Sequence, residues 1–239
     1  MTIYLQQLDS DMHSAFPPIE SALTDPDGLL AMGGDLSATR LINAYQHGIF
    51  PWYSEGDPIL WWSPSIRGVF LPRLFSPSKS LKKYFRKSNY RVTINTVTDQ
   101  IIELCASTRG PEETWIMPEM IFAYKQLATL GYCHSVEVWE NETLIGGLYG
   151  LQIGQVFCGE SMFSLKTNAS KIALWKFSEH FVAAGGELID CQMMNPHLES
   201  LGATEMNRSE FKMQLGELAD KLVAPSCYAP QSIGNKPSS

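Results

Sequence analysis

Several signatures that would fix the chemistry of a 239-residue chain are missing from this one. There is no GxxxxGK[ST] loop, the backbone cradle that ATP-driven enzymes place around phosphates. There is no HExxH run and no Cys/His pair at zinc spacing, so neither a metal nor another cofactor is indicated. The serine-hydrolase elbow is absent as well, because Gly159-Glu160-Ser161-Met162-Phe163 lacks the second glycine of GxSxG. The five cysteines, Cys105, Cys133, Cys158, Cys191 and Cys227, are odd in number and scattered. That speaks against a disulfide framework and for free thiols in a reducing cytoplasm. No apolar run reaches the roughly 18 residues of a membrane helix, and the first residues have neither the basic head nor the apolar stretch of a secretory signal. With no ATP loop in sight, a pre-activated substrate would suit whatever reaction the chain catalyses.

One further absence is local. The chain is acidic, with a formal net charge of −7, yet no Asp or Glu occurs between Asp57 and Asp99. That window holds Arg67, Arg73, Lys79, Lys82, Lys83, Arg86, Lys87 and Arg91, eight of the chain's 18 Lys and Arg. A solvated helix face is the plain explanation. A basic island on an acidic protein also suits a polyanion such as a nucleic-acid backbone, held through phosphates without sequence readout.

What is present is enough apolar material, 44% of residues, for a real core. Residues 1–65 are rich in Pro, Gly and aromatics and carry one clear helix at residues 37–47, with Ser37 as its cap and Gly48 as its stop. They read as a small N-terminal α/β domain. Residues 66–239 read as a larger α+β domain with a mostly antiparallel sheet. Strands are predicted at 68–71, 90–95, 134–140, 143–151, 154–159 and 187–193. Helices are predicted at 80–87, 98–107, 118–130, 168–184 and 211–222. The composition of the tail from about residue 230 predicts flexibility.

Two polar interruptions in apolar strands mark the candidate site. One is Glu160, within Val156–Phe163; the other is Asp190 and Gln192, within Leu188–Met193. On a strand, Asp190 and Gln192 share a face, and a buried carboxylate and amide are costly unless paired or used. Trp52, Tyr45, Trp61, Trp62 and Trp115 could be ordinary core or could offer a stacking surface for an unpaired base. Of the histidines, His197 alone lies close in sequence to the candidate site.

The segments 28–37, 45–52, 58–64, 146–150 and 157–164, with 188–192 followed by Asn195 and His197, resemble the bacterial leucyl/phenylalanyl-tRNA–protein transferase family; residues 110–115 do so less closely. The resemblance covers residues 16–210. It implies a C-terminal domain with the GNAT acetyltransferase-like fold. It also implies transfer of Leu or Phe, less so Met, from aminoacyl-tRNA to proteins or peptides with an N-terminal Arg or Lys, which tags them for the N-end rule degradation pathway in the cytoplasm. By the same resemblance, Asp190 and Gln192 are catalytic, and Glu160 is an essential active-site carboxylate. The aminoacyl-adenosine site falls on Tyr45, Trp52, Trp115, Phe157, Met162, Leu174, Phe177 and Ile189. Leu148 joins this wall and stands where some relatives have Met, which keeps the wall apolar and bears on side-chain preference. Lys79, Lys82, Lys83, Arg86, Lys87 and Arg91 would hold the tRNA.

An aminoacyl ester is already activated, so no ATP loop is needed. Glu160 and Asp190 would also supply negative charge for a basic acceptor. An acetyl-CoA-dependent N-acetyltransferase of the same fold is the rival reading, but no [QR]xxGx[GA] pyrophosphate loop is present. A non-catalytic RNA-binding module would explain the basic helix and leave Glu160, Asp190 and Gln192 without purpose.

Overall fold

The computed structural model describes residues 5–11, 14–108 and 116–234. Among these, two sheets form. The smaller contains β1 (Gln6–Leu8), β2 (Leu29–Gly33), β3 (Phe50–Pro51) and β4 (Leu60–Trp62) in the order β1-β2-β4-β3, with helix α1 (Ala38–Gln46) inserted between β2 and β3. The larger contains β5 (Ile66–Phe70), β6 (Tyr90–Ile94), β7 (Cys133–Glu140), β8 (Thr143–Ile153), β9 (Val156–Ser164), β10 (Leu188–Asp190), β11 (Thr204–Asn207) and β12 (Gln231–Ser232). Its order is β11-β5-β10-β9-β8-β7-β6-β12. Neighbours are antiparallel throughout, except β9 and β10, which run parallel. The remaining helices are α2 (Lys79–Lys87), α3 (Thr98–Ser107), α4 (Pro118–Thr129), α5 (Ala169–Ala183), α6 (Pro196–Leu201) and α7 (Arg208–Leu218). None of the described helices is long and apolar enough to cross a membrane.

Local chemistry explains most boundaries. Ser37 and Ser78 cap α1 and α2 by accepting from the backbone N–H of Arg40 and Leu81. Pro118 opens α4, where a missing N–H does no harm. The β7–β8 hairpin turns at Asn141, whose φ of 55° is one that Asn tolerates better than bulkier residues. Gly146 and Gly147 let helices press on both faces of β8. A Cβ on Gly146 would lie 2.6 Å from Ala169 of α5, and one on Gly147 would lie 2.6 Å from Ile101 of α3. The sheet is therefore sandwiched. On one face α2 and α5 bury Leu81, Phe85, Ile172, Phe177 and Phe181 against Val92, Val136 and Phe157. On the other, α3, α4 and α7 share one continuous core with the N-terminal residues Leu41, Tyr45, Phe50 and Trp61.

Four departures from the sequence reading bear on the site and the sheet edges. The strand expected at 187–193 stops at Asp190, and Gln192 takes a left-handed φ of 64°. The alternation that put Asp190 and Gln192 on one face thus does not reach Gln192. Conversely, β9 continues through Glu160 to Ser164. Asn207 caps α7, so this helix begins three residues before the expected 211 and ends at Leu218. Finally, the expected flexible tail contains β12, which pairs with Thr93 and Ile94, and Ile233 is buried behind it. A single apolar side chain with a sheet edge to join outweighed the polar composition around it.

Candidate active site

β9 and β10 pair only as far as Cys158 and Asp190, and beyond that point both chains continue without facing each other in register. Where they part lies a cavity of about 440 Å³. Its wall includes Trp52, Phe70, Leu148, Phe157, Met162, Leu174 and Ile189, and its polar groups include Glu160, Ser161, Gln192, Asn195 and His197. An oily recess with a few convergent polar groups is the usual form of a small-ligand site. A larger hollow, about 590 Å³, lies between residues 14–19, α1 and α7. Its Lys212 is paired with Glu20, and no buried carboxylate among the described residues faces it.

Gln192 links the two acidic residues. Its side-chain Nε2 donates to Glu160 Oε1 at 2.7 Å, and its backbone N–H donates to Asp190 Oδ1 at 2.8 Å. The turn that carries it is tied to β5, since Gly68 N–H donates to the Gln192 carbonyl and Cys191 N–H donates to the Gly68 carbonyl. Side-chain and backbone bonds together hold a conformation that a non-glycine residue adopts only when its surroundings insist.

The environments of the two carboxylates differ. Asp190 is fully buried and is gripped by Arg67, whose Nε and Nη2 donate to its two oxygens at 2.8 and 2.7 Å. Arg67 also donates to the Gly48 carbonyl and lies between the rings of Phe50 and Phe211. Burial works against its charge, but Asp190 more than offsets this and raises its pKa. Among the described residues, Glu160 has no cation beside it. It accepts from Gln192, from Tyr45 at 2.6 Å and from Tyr124 at 2.9 Å, and the two phenol oxygens are themselves 2.6 Å apart. Burial pushes its pKa up to about 7, helped by the Asp190 charge; the bonds that an ionised carboxylate would accept from Tyr45, Tyr124 and Gln192 pull the other way. Such a carboxyl can hold or release a proton near neutral pH.

The expected residues sort accordingly. Trp52, Leu148, Phe157, Met162, Leu174 and Ile189 meet on the cavity wall with Glu160 and Gln192. Tyr45 and Phe177 do not reach it. Tyr45 lies behind Glu160, and Phe177 packs behind Phe157 with ring centroids 4.4 Å apart. Asp190 does not reach it either, so it cannot meet an acceptor side chain; its charge is already matched by Arg67. Trp115 lies outside the described residues. Trp61 and Trp62 are core residues that donate to the carbonyls of Gly33 and Trp52, which leaves Trp52 as the described tryptophan at the cavity. Cys191 is on the wall, but burial and then the Asp190 charge hold it as a thiol, so it is no ready nucleophile. Among the described residues, no cluster of three or more His, Cys, Asp or Glu could hold a metal.

The basic island also divides. Arg67 is the buried partner of Asp190, and Arg73 pairs with Glu187. Lys79, Lys82, Lys83, Arg86 and Lys87 are exposed on α2, and Arg91 is exposed beside them over the Trp139 ring. Among the described residues, no acid lies within ion-pair distance of these six. Sequence reasoning missed Tyr124. The available signal was a tyrosine, rather than phenylalanine, on the inward face of an apolar helix.

Comparison with known proteins gives a consistent picture. Residues 69–216 match the family model described as leucyl/phenylalanyl-tRNA protein transferase, and residues 34–65 match that family's N-terminal domain. The leucyl/phenylalanyl-tRNA–protein transferase of Aliivibrio fischeri is 72% identical over 98% of both chains. Those of Aliivibrio salmonicida and Photobacterium profundum are 70% and 57% identical, covering 98% of this chain and 100% and 98% of theirs.

Proposed function

Because the chain belongs to the leucyl/phenylalanyl-tRNA–protein transferase family of aminoacyltransferases, we propose that it moves Leu or Phe, and less readily Met, from aminoacyl-tRNA to the α-amine of a protein that begins with Arg or Lys. The observation that carries the mechanism is the Gln192 amide bonded to the Glu160 carboxyl on the wall of an apolar cavity. The aminoacyl side chain enters between Leu148, Phe157, Met162, Leu174 and Ile189, with Trp52 at the adenosine end. Gln192 orients the incoming amine. Glu160 takes the proton that the nitrogen loses as it attacks the ester carbon. Asp190 is a positioning residue that fixes the Gln192 turn and is itself fixed by Arg67. Holding amine and ester together supplies roughly 7–11 kcal/mol at best. An apolar pocket separates aliphatic and aromatic side chains weakly, by about 10–200-fold per methylene, which supports mixed use of Leu, Phe and Met.

The five cations of α2 and Arg91, none of them ion-paired with a described residue, support tRNA binding through backbone phosphates, with strong salt dependence and little sequence preference. The reading includes a GNAT-like larger domain, with β9 and β10 as its diverging parallel pair, and a cytoplasmic setting, where charged tRNA is found. The test is transfer of labelled Leu from tRNA to a peptide beginning with Arg, run beside one beginning with Ala, without added nucleotide or metal. Label on the Arg peptide alone is expected. Equal labelling of both removes the acceptor specificity, and acetyl transfer from acetyl-CoA in place of aminoacyl transfer removes the reaction.

A further inference from the structure

Behind the cavity wall, Tyr45 of α1, Tyr124 of α4 and Glu160 of β9 bring three oxygen groups into mutual contact. The separations are 2.6 Å from Tyr45 to Glu160 Oε1, 2.9 Å from Tyr124 to Glu160 Oε2 and 2.6 Å between the phenols. Each contact is short enough to require a hydrogen between its oxygens. Both phenols stay protonated, since burial and then the Glu160 charge raise their pKa values well above the ordinary one. Two phenolic hydrogens cannot fill three contacts. With Glu160 ionised, one contact sets lone pair against lone pair in a buried site. With Glu160 protonated on Oε2, every contact is filled in one direction: Oε2–H donates to Tyr124, Tyr124 to Tyr45, and Tyr45 to Oε1. Gln192 Nε2 supplies a further hydrogen to Oε1.

We infer that Tyr45, Tyr124 and Glu160 form a closed proton-holding ring that is complete only when Glu160 carries a proton, and that the two tyrosines are positioning residues for proton transfer at the cavity. In the transfer reaction the amine lone pair forms the new C–N bond, and a nitrogen proton passes to Glu160, closing the ring. The bond from the ester carbon to the ribose oxygen then breaks, that oxygen leaves with the electron pair, and Glu160 returns the proton to it. Tyr45 is thus not a wall of the aminoacyl site, as the family resemblance implies, but part of the apparatus behind it.

The use made of the proton rests on the proposed transferase reading; the ring does not. The other groups that face Glu160 are few. Asp190 is matched by Arg67, Cys133 and Cys158 are held as buried thiols, and Tyr149 adjoins Tyr124.

The test is an infrared titration of the full-length protein between about pH 5 and 9, reading the carboxylic C=O band that disappears in Glu160→Gln. In the unmodified protein this band should titrate near pH 7. Tyr124→Phe and Tyr45→Phe each remove two bonds from the protonated form but one from an ionised form in which both phenols donate to the carboxylate. Each should therefore lower the midpoint, by about one pH unit. The acid limb of the transfer rate should move with it, which a packing defect alone would not produce. A phenol that merely donated to the ionised carboxylate would, when removed, raise the midpoint. A raised or unchanged midpoint in a folded variant overturns the ring, as does absence of the band at about pH 6 in the unmodified protein, which requires no variant. Absence of transferase activity in the unmodified protein, with the expected infrared shifts intact, would instead count against the transferase reading.

Discussion

Asp190 and Glu160 are both buried carboxylates, yet they are built for opposite tasks. Asp190 faces a guanidinium that meets both of its oxygens, and it is sealed from the cavity. Among the described residues, Glu160 faces only neutral donors, and it touches the cavity. A matched ion pair locks one charge state, whereas a ring of hydroxyls and an amide leaves the charge state open. The comparison teaches that burial alone says little about an acid's role; the charge of its partners decides it.

The sharpest way to break the contrast is to remove the cation. Arg67→Met should destabilise the protein by about 3–5 kcal/mol, because it strands an unpaired buried charge on Asp190. Chemical denaturation measures this, and a loss below about 1 kcal/mol would mean the pair is not sealed as described. Next comes the pH response of Glu160, whose pKa is raised by folding from 4.5 to about 7. The stability this group contributes is fully present below about pH 4.5 and is lost as pH rises through about 7. At about 1.4 kcal/mol per unit, the unmodified protein should lose on the order of 3 kcal/mol across that window relative to Glu160→Gln. Parallel stability curves for the two proteins would refute the titration. The smallest stability effect should come from replacing both partners of the sealed pair. Arg67→Met with Asp190→Leu should recover to within about 1–2 kcal/mol of the unmodified protein. It should nevertheless transfer poorly, because the Gln192 backbone loses the acceptor that holds its turn. Full activity in that double variant would show that Asp190 does not position Gln192.

Much of this was legible in the amino-acid order. The capped helix α1, the helix α2, the β7–β8 hairpin and the polar interruptions at Glu160 and at Asp190 with Gln192 follow from periodicity, a cap at Ser37 and the cost of burying polar groups. What escaped were consequences of tertiary contact. Arg67 reads as one more surface cation in a basic window until Asp190, 123 positions later, is seen to face it. Gln192 reads as a strand residue because a left-handed φ at a non-glycine position has no local sign. Short elements such as α6 and β11 carry too few residues to show a period. Tyr124 looks like core packing until its hydroxyl meets a carboxyl from another element.

The pairing of β12 with β6 matters for how the protein is handled. Among the described residues, the outer rim of β6 is covered by Gln231 and Ser232, with Ile233 buried behind them and donating its N–H to the Val92 carbonyl. A chain cut before residue 231 would bare that rim, with its unmatched N–H and C=O groups, to other molecules and invite them to associate edge to edge. Affinity tags and truncations are therefore better placed at residues beyond 234 than upstream of it.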